Sequence, residues 1–111
     1  MATHPFLDGT VKPLFIDGEH RLARGGESFE CIDPSTGRVL TLVARGDAAD
    51  IDDAVAAAGR AFAGDWRSWK PFDRQALMRD VAAAIDRRFD DLARLESMDM
   101  GAPLSRTSSF R

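Results

Sequence analysis

Apolar residues alternate at strand spacing in the first half of this chain and recur at helical spacing in the second, so the pattern predicts strands followed by helices. Leu14-Phe15-Ile16 is a short β-favouring run ended by Asp17-Gly18, a turn dipeptide in which glycine accepts positive φ without steric cost. Arg24-Gly25-Gly26-Glu27 reads as a second loop. Residues 29–33 alternate imperfectly, Pro34-Ser35-Thr36-Gly37 makes a turn, and a strand follows over 38–44. In that strand Val39, Thr41 and Val43 share one face, and Leu40, Leu42 and Ala44 share the other. Both faces are largely apolar, which predicts cover on both sides that a small chain would struggle to supply.

Asp47, with Asp50 three residues on, is an acidic variant of the capping box and opens a helix over 47–62. Ile51, Val55, Ala58 and Phe62 follow on one helical face, and Gly64 closes the segment as its C-cap. Trp66 and Trp69 in the connection are expected to anchor the helix pair. A second helix starts near Pro71, because proline is tolerated where the first N–H has no intrahelical partner. Leu77, Val81, Ile85, Phe89 and Leu92 form its apolar stripe, with Arg79 and Asp86 in water. This stripe is expected to be the core, packed on Val55 and Phe62, so that Ile85→Ala would cost roughly 2–5 kcal/mol. The pattern can be drawn as one long helix to Asp99 or as two with a break around 88–90, and Gly101 and Pro103 end the run. Residues 1–13 lack periodicity and read as an irregular surface arm; residues 105–111 read as a polar, frayed tail.

Composition narrows the class without naming a function. A chain of 111 residues is one domain's worth at most and buries only a modest core. Its 44% hydrophobic and 30% charged content suits a globular protein. A net charge of -3 argues against a nucleic-acid partner, which would need clustered Lys and Arg. No apolar stretch approaches the length of a membrane span, and the first ten residues lack the basic-then-apolar order of a signal peptide. One cysteine excludes an intrachain disulfide and fits a reducing, cytoplasmic setting.

The candidate chemistry is sparse. Cys31 lies in a predicted strand, with no histidine, lysine or helix N-terminus placed to lower its pKa, so a structural role is expected. No G-x-G-x-x-G follows a strand, so nothing cradles a dinucleotide pyrophosphate. His4 and His20 are sixteen residues apart, outside any metal-ligand cluster, and read as packing or surface residues. Asp52-Asp53 and Asp90-Asp91 fall near helix starts, where carboxylates meet the macrodipole favourably.

Four stretches in order carry a resemblance: FIDGE (15–19), FECIDPSTGRVL (29–40), the alanine-rich helix with its acidic cap (47–62), and SMDMGAP (97–103). Their order and spacing resemble the N-terminal segment of the NAD(P)-dependent aldehyde dehydrogenase superfamily over residues 14–104. The resemblance implies an α/β fold, α+β in this fragment: short N-terminal strands and two or three helices, with the break at 88–90 favoured, without the nucleotide-binding loop or the catalytic domain. Residues 1–13 would be an arm, 14–104 the partial aldehyde dehydrogenase region, and 105–111 a tail.

By the same resemblance, the full-length enzyme would oxidise aldehydes to acids through a cysteine thiohemiacetal, with hydride transfer to NAD or NADP. The catalytic cysteine and the cofactor contacts lie downstream in the family, and Cys31 stands where members carry a β-branched or small residue. No catalytic or cofactor-binding residue is therefore carried over, and the chain alone is expected to be an inactive scaffold. One site is carried over: the resemblance implies a monovalent cation, Na⁺ or K⁺, held by the backbone carbonyls of Cys31 and Ile32 and the carboxylate of Asp99. Met100 and Ala102 depart from the asparagine and lysine frequent in that motif. The partner would be the remainder of an aldehyde dehydrogenase, or a second copy met through exposed apolar surface. The alternative is a self-standing small α+β interaction module.

Overall fold

The computed structural model describes residues 4–109. Residues 1–3 of the expected arm and 110–111 of the expected tail lie outside the described residues. Four strands come first: β1 (Leu14–Ile16), β2 (Glu19–Arg21), β3 (Ser28–Ile32) and β4 (Val39–Ala44). They pair as two antiparallel hairpins, β1 with β2 and β3 with β4. Then come α1 (Ala48–Ala63), a 3₁₀ turn (Asp65–Ser68), α2 (Pro71–Arg87), α3 (Phe89–Met100) and the short α4 (Leu104–Thr107).

The first hairpin is closed by Asp17 and Gly18, both at positive φ (55° and 79°), as a two-residue turn that follows the twist of its strands requires. That turn sets the register Ile16↔Glu19 and Leu14↔Arg21. It thereby makes a strand of the polar run Glu19-His20-Arg21, which strand propensity alone does not mark. In the second hairpin the Asp33 carboxylate accepts from the Ser35 N–H at 2.7 Å, and the Asp33 carbonyl accepts from the Gly37 N–H at 2.8 Å. The register shifts between Cys31 and Ile32, so the ladder is irregular where this turn begins.

The first helix is built as its cap predicts. Asp47 accepts from the N–H groups of Ala49 and Asp50, and the Asp50 carboxylate accepts from the Asp47 N–H in return. Gly64 does cap it, in extended rather than left-handed backbone. The expected interruption between the later helices falls at Arg88, and Gly101 ends α3 in the left-handed conformation.

The expected core is where the structure departs from the sequence reading. α2 has no buried residue, and Val81 and Ile85 remain 45% and 49% exposed. Val55 and Phe62, which were to receive that stripe, are 65% and 73% exposed; the main neighbours of α1 are the 3₁₀ turn and β1. The spacing correctly places apolar side chains on one face, but spacing does not say whether the same chain supplies the opposing surface. Trp66 and Trp69 contact each other with ring centroids 5.2 Å apart, and the Arg74 guanidinium lies 5.0 Å from the Trp66 ring, which ties the start of α2 to the connection.

Among the described residues the buried apolar side chains are all alanines: Ala23, Ala44, Ala57 and Ala93. The accessible surface is 8553 Å², where a compact monomer of this mass would show about 6,100 Å². The radius of gyration is 17.3 Å, against about 13 Å for a compact domain of this length, and the thinnest dimension is 18 Å. The described chain is a thin layer that leaves many large apolar side chains exposed.

The arm and tail differ from expectation as well. Lys12 is buried and bridges to Val43 in parallel, its N–H donating to Leu42 and its carbonyl accepting from Ala44. His4 is buried too. The start of the expected tail forms α4, with Thr107 buried.

Candidate functional site

The end of β3 and the last turns of α3 come together, and with them the residues the sequence singled out for a cation. The Cys31 thiol donates to Asp99 Oδ1 at 2.9 Å across 68 positions of chain. The quoted stretches that hold these two residues also touch at a second point. A side chain at Gly101 would meet Pro34 Cγ at 2.9 Å, so only glycine allows α3 to end this close to the turn after β3. Ser97 Oγ donates to the Ala102 carbonyl at 2.6 Å and closes the loop behind Asp99.

Cys31 and Asp99 line a groove of about 510 Å³ with Lys12, Leu40, Leu92 and Leu95. The Asp99 carboxylate raises the Cys31 pKa, first by accepting the thiol hydrogen bond, with burial and the negative charge adding to it. A thiol held protonated is a poor nucleophile, which supports the structural role expected of Cys31. Ile32, the other expected carbonyl donor, is on the exposed edge of the same strand. Among the described residues no three of His, Cys, Asp or Glu group as metal ligands, so a cation here would rely on backbone oxygen beside a single carboxylate.

A second constellation was only half visible in the sequence. Asp50 is 1% exposed and does more than cap α1: its carboxylate also accepts from the Arg24 N–H at 3.1 Å, with Arg21 Nη2 3.6 Å away. Asp53, one turn along, accepts from Arg21 Nη2 at 2.7 Å and Arg24 Nε at 2.8 Å. The hydrogen bond from the Asp47 N–H is the largest influence holding the Asp50 carboxyl below its ordinary 3.8. Arg21 and then Arg24 do the same for Asp53. These charges fasten β2 and the following loop to α1, a structural task distinct from general acid–base work. The D-x-x-D spacing signalled the cap, whereas of the arginines that reach it Arg21 comes from a strand the sequence did not mark and Arg24 from the loop after it.

His20 stacks near Phe15, ring centroids 4.9 Å apart, in a packing role. His4 hydrogen-bonds both ways: Nε2 to the Asp91 carbonyl at 2.9 Å, and Nδ1 from the Phe6 N–H at 3.1 Å. No sequence signal marked that contact. Asp90 and Asp91 occupy the first turn of α3. No described helix is long and apolar enough to cross a membrane.

The profile of the aldehyde dehydrogenase family matches residues 21–109, most of the chain. The chain belongs to the aldehyde dehydrogenase family. It is 44% identical over 91 residues to the aminoacetaldehyde dehydrogenase of Pseudomonas aeruginosa, covering 81% of this chain and 18% of that one. Its fold matches the γ-glutamyl-γ-aminobutyraldehyde dehydrogenase of Burkholderia cenocepacia with a TM-score of 0.86 and 43% identity, over 89% of this chain and 20% of the other. It also matches the NAD⁺ complex of an aldehyde dehydrogenase from Bacillus cereus, TM-score 0.92 and 33% identity, over 98% and 23%. The chain thus spans about a fifth of the length of the aldehyde dehydrogenases it matches. The α+β arrangement of short strands and helices is that of the N-terminal part of the aldehyde dehydrogenase fold.

Proposed function

We propose that this chain is the N-terminal scaffold of a larger cytoplasmic aldehyde dehydrogenase, one that oxidises an aldehyde to an acid with NAD or NADP, and that it is inactive alone. The observation that carries this is the thin core: among the described residues the buried apolar ones are alanines, while large side chains such as Phe15, Phe29, Phe62 and Phe72 are exposed. Contiguous exposed apolar surface marks an interaction site. The relatives supply the occupant, because each carries some four-fifths of its length beyond the part matched here.

The same reading gives Asp99, with the carbonyls of Cys31 and Ile32, the role of a monovalent-cation site in the assembled enzyme. Its support is the meeting of β3 with the end of α3 at the Cys31–Asp99 contact. Na⁺ or K⁺ there would draw on hard oxygen ligands, and the Cys31 thiol competes with the ion for one Asp99 oxygen.

The test is reconstitution. The chain is mixed with the aminoacetaldehyde dehydrogenase of Pseudomonas aeruginosa lacking its matching N-terminal segment, and NADH production is followed with aliphatic and aromatic aldehydes. Turnover is expected in the mixture and in neither component alone. Turnover by the chain alone, above that of a Cys31→Ala variant, would overturn the scaffold reading. A stable monomer that leaves the truncated enzyme inactive would favour a self-standing interaction module instead.

A further inference from the structure

We propose that the N-terminal arm is a clasp that fastens the start of α3 to β4, and so keeps the far end of α3 against the turn after β3. Two hydrogen bonds join α3 to the first half of the chain, one toward each end of the helix. At its last turns the Cys31 thiol donates to Asp99 Oδ1 at 2.9 Å, beside the close approach of Gly101 to Pro34. Near its first turn His4 Nε2 donates to the Asp91 carbonyl at 2.9 Å. Asp91 and Asp99 are separated by about 12 Å of helix, at about 1.5 Å per residue. One attachment leaves a rod free to swing about it. Two attachments this far apart fix its direction.

The arm is ordered along its whole span. Its root is Lys12, joined to β4 by two backbone hydrogen bonds, from its N–H to the Leu42 carbonyl at 2.8 Å and from the Ala44 N–H to its carbonyl at 2.9 Å. Its middle is stiffened by Asp8, whose carboxylate accepts from the Thr10 N–H at 3.0 Å and from Lys12 Nζ at 2.6 Å. Its tip is a turn in which the Leu7 N–H donates to the His4 carbonyl at 2.8 Å and the Phe6 N–H donates to His4 Nδ1 at 3.1 Å. Because the bonds of the middle and the tip lie within the arm, little further chain entropy is lost where it meets α3.

Polar groups do the fastening. His4 and Lys12 are 6% and 9% exposed, and burying such side chains is costly unless they are hydrogen-bonded, as both are. Such bonds are directional, so they fix where the arm lies as well as holding it. Between them Phe6 and Leu7 line the groove of about 510 Å³ that separates α3 from β4, with Phe6 still half exposed and covering on one side only. The cation site read above uses the same meeting of β3 with α3, but the clasp stands whether or not an ion binds there. On the scaffold reading, it would present the strands and α3 to the rest of the enzyme in a preset arrangement.

A disulfide reads the clasp directly. Cys31 is the single cysteine, and its Sγ is near enough to Asp99 Oδ1 for a sulfur at position 99 to bond to it. The dilute full chain carrying Asp99→Cys is equilibrated at one pH with oxidised and reduced glutathione, and the bridged fraction gives the effective concentration of the two thiols. His4→Ala frees the tip, and Lys12→Pro removes the N–H that reaches Leu42. Each is expected to lower the effective concentration severalfold. His4→Gln keeps a donor for the Asp91 carbonyl and should restore most of it. Emission from Trp66 and Trp69, which line neither groove beside the arm, shows whether each variant remains folded. An unchanged value in both folded cuts, a loss in only one of them, or no rescue by His4→Gln would overturn the clasp. So would Asp99→Cys failing to bridge by itself. If a cut variant unfolds, the native chain decides: a nuclear Overhauser contact between the His4 ring and Asp91 supports the clasp, and its absence overturns it.

Discussion

The first turn of α1 and the exposed stripe of α2 belong to helices of nearly equal length, of 16 and 17 residues, and they are finished in different ways. At the start of α1 the carboxylates of Asp47, Asp50 and Asp53 all find their partners inside the chain, and Arg21 Nε is left buried without one. Asp47 and Asp50 cap each other's N–H groups, Arg24 donates its backbone N–H to Asp50, and Arg21 and Arg24 pair with Asp53. Along α2 the apolar side chains are spaced for a core, and Val81 and Ile85 are still about half exposed. A hydrogen-bonded junction is complete once its few partners arrive. An apolar face is complete only when a surface of matching area lies on it, and a thin layer 18 Å across has no interior to give. The junction is therefore complete within the chain, and the stripe is not.

The largest effect should come from breaking the junction. Asp50→Ala leaves the N–H groups of Arg24 and Asp47 without their buried acceptor, and should lower the urea midpoint of the chain more than any other change considered below. The same carboxylate sets an acid limb. Its pKa in the fold lies below 3.8, so its stabilisation is present above that value and is lost as pH falls through the folded one. Asp50→Asn should flatten stability against pH below about pH 4; an unchanged acid limb would mean that the junction does not depend on this charge.

Overfilling the small interior comes next. Ala93 is 4% exposed on α3, and Ala93→Leu should cost about 1–3 kcal/mol, because the neighbours must shift to admit the added methylenes. A neutral outcome in a urea melt would show that the alanine contacts are looser than the structure has them.

The stripe should give the smallest effect. Ile85 is half exposed, so Ile85→Ala should cost about 1 kcal/mol or less, in place of the several expected of a core position. The neighbouring Asp86→Ala should fall within about 0.5 kcal/mol of the unaltered chain. A loss of several kcal/mol at Ile85 would restore the stripe to the core of this chain and remove the contrast with α1.

Much of the fold was legible in the residues. The Asp47–Asp50 cap, the Asp17-Gly18 turn and the start of α2 at Pro71 each follow from local chemistry, which sequence carries directly, whereas the interruption at Arg88 was favoured by the family resemblance alone. Strand β2 was not legible, because Glu19-His20-Arg21 is polar and is made a strand by the turn before it. Nor were the partners of His4 and Asp53, since long-range contacts depend on where helices and arms are laid in space. Of the candidate cation residues, Cys31 and Asp99 meet through the Cys31 thiol, not through the backbone carbonyl that the resemblance implied. Burial was the least legible property. Periodicity names the apolar face of α2, while cover depends on the surface set against it, and no described residue of α2 is buried.

Light scattering on the isolated chain across a range of concentrations tests most directly whether these faces await a partner. An apparent mass rising with concentration above 12.2 kDa, with binding of a hydrophobic dye, is what uncovered apolar faces predict. A monomer of 12.2 kDa at every concentration, binding no dye, would contradict the account.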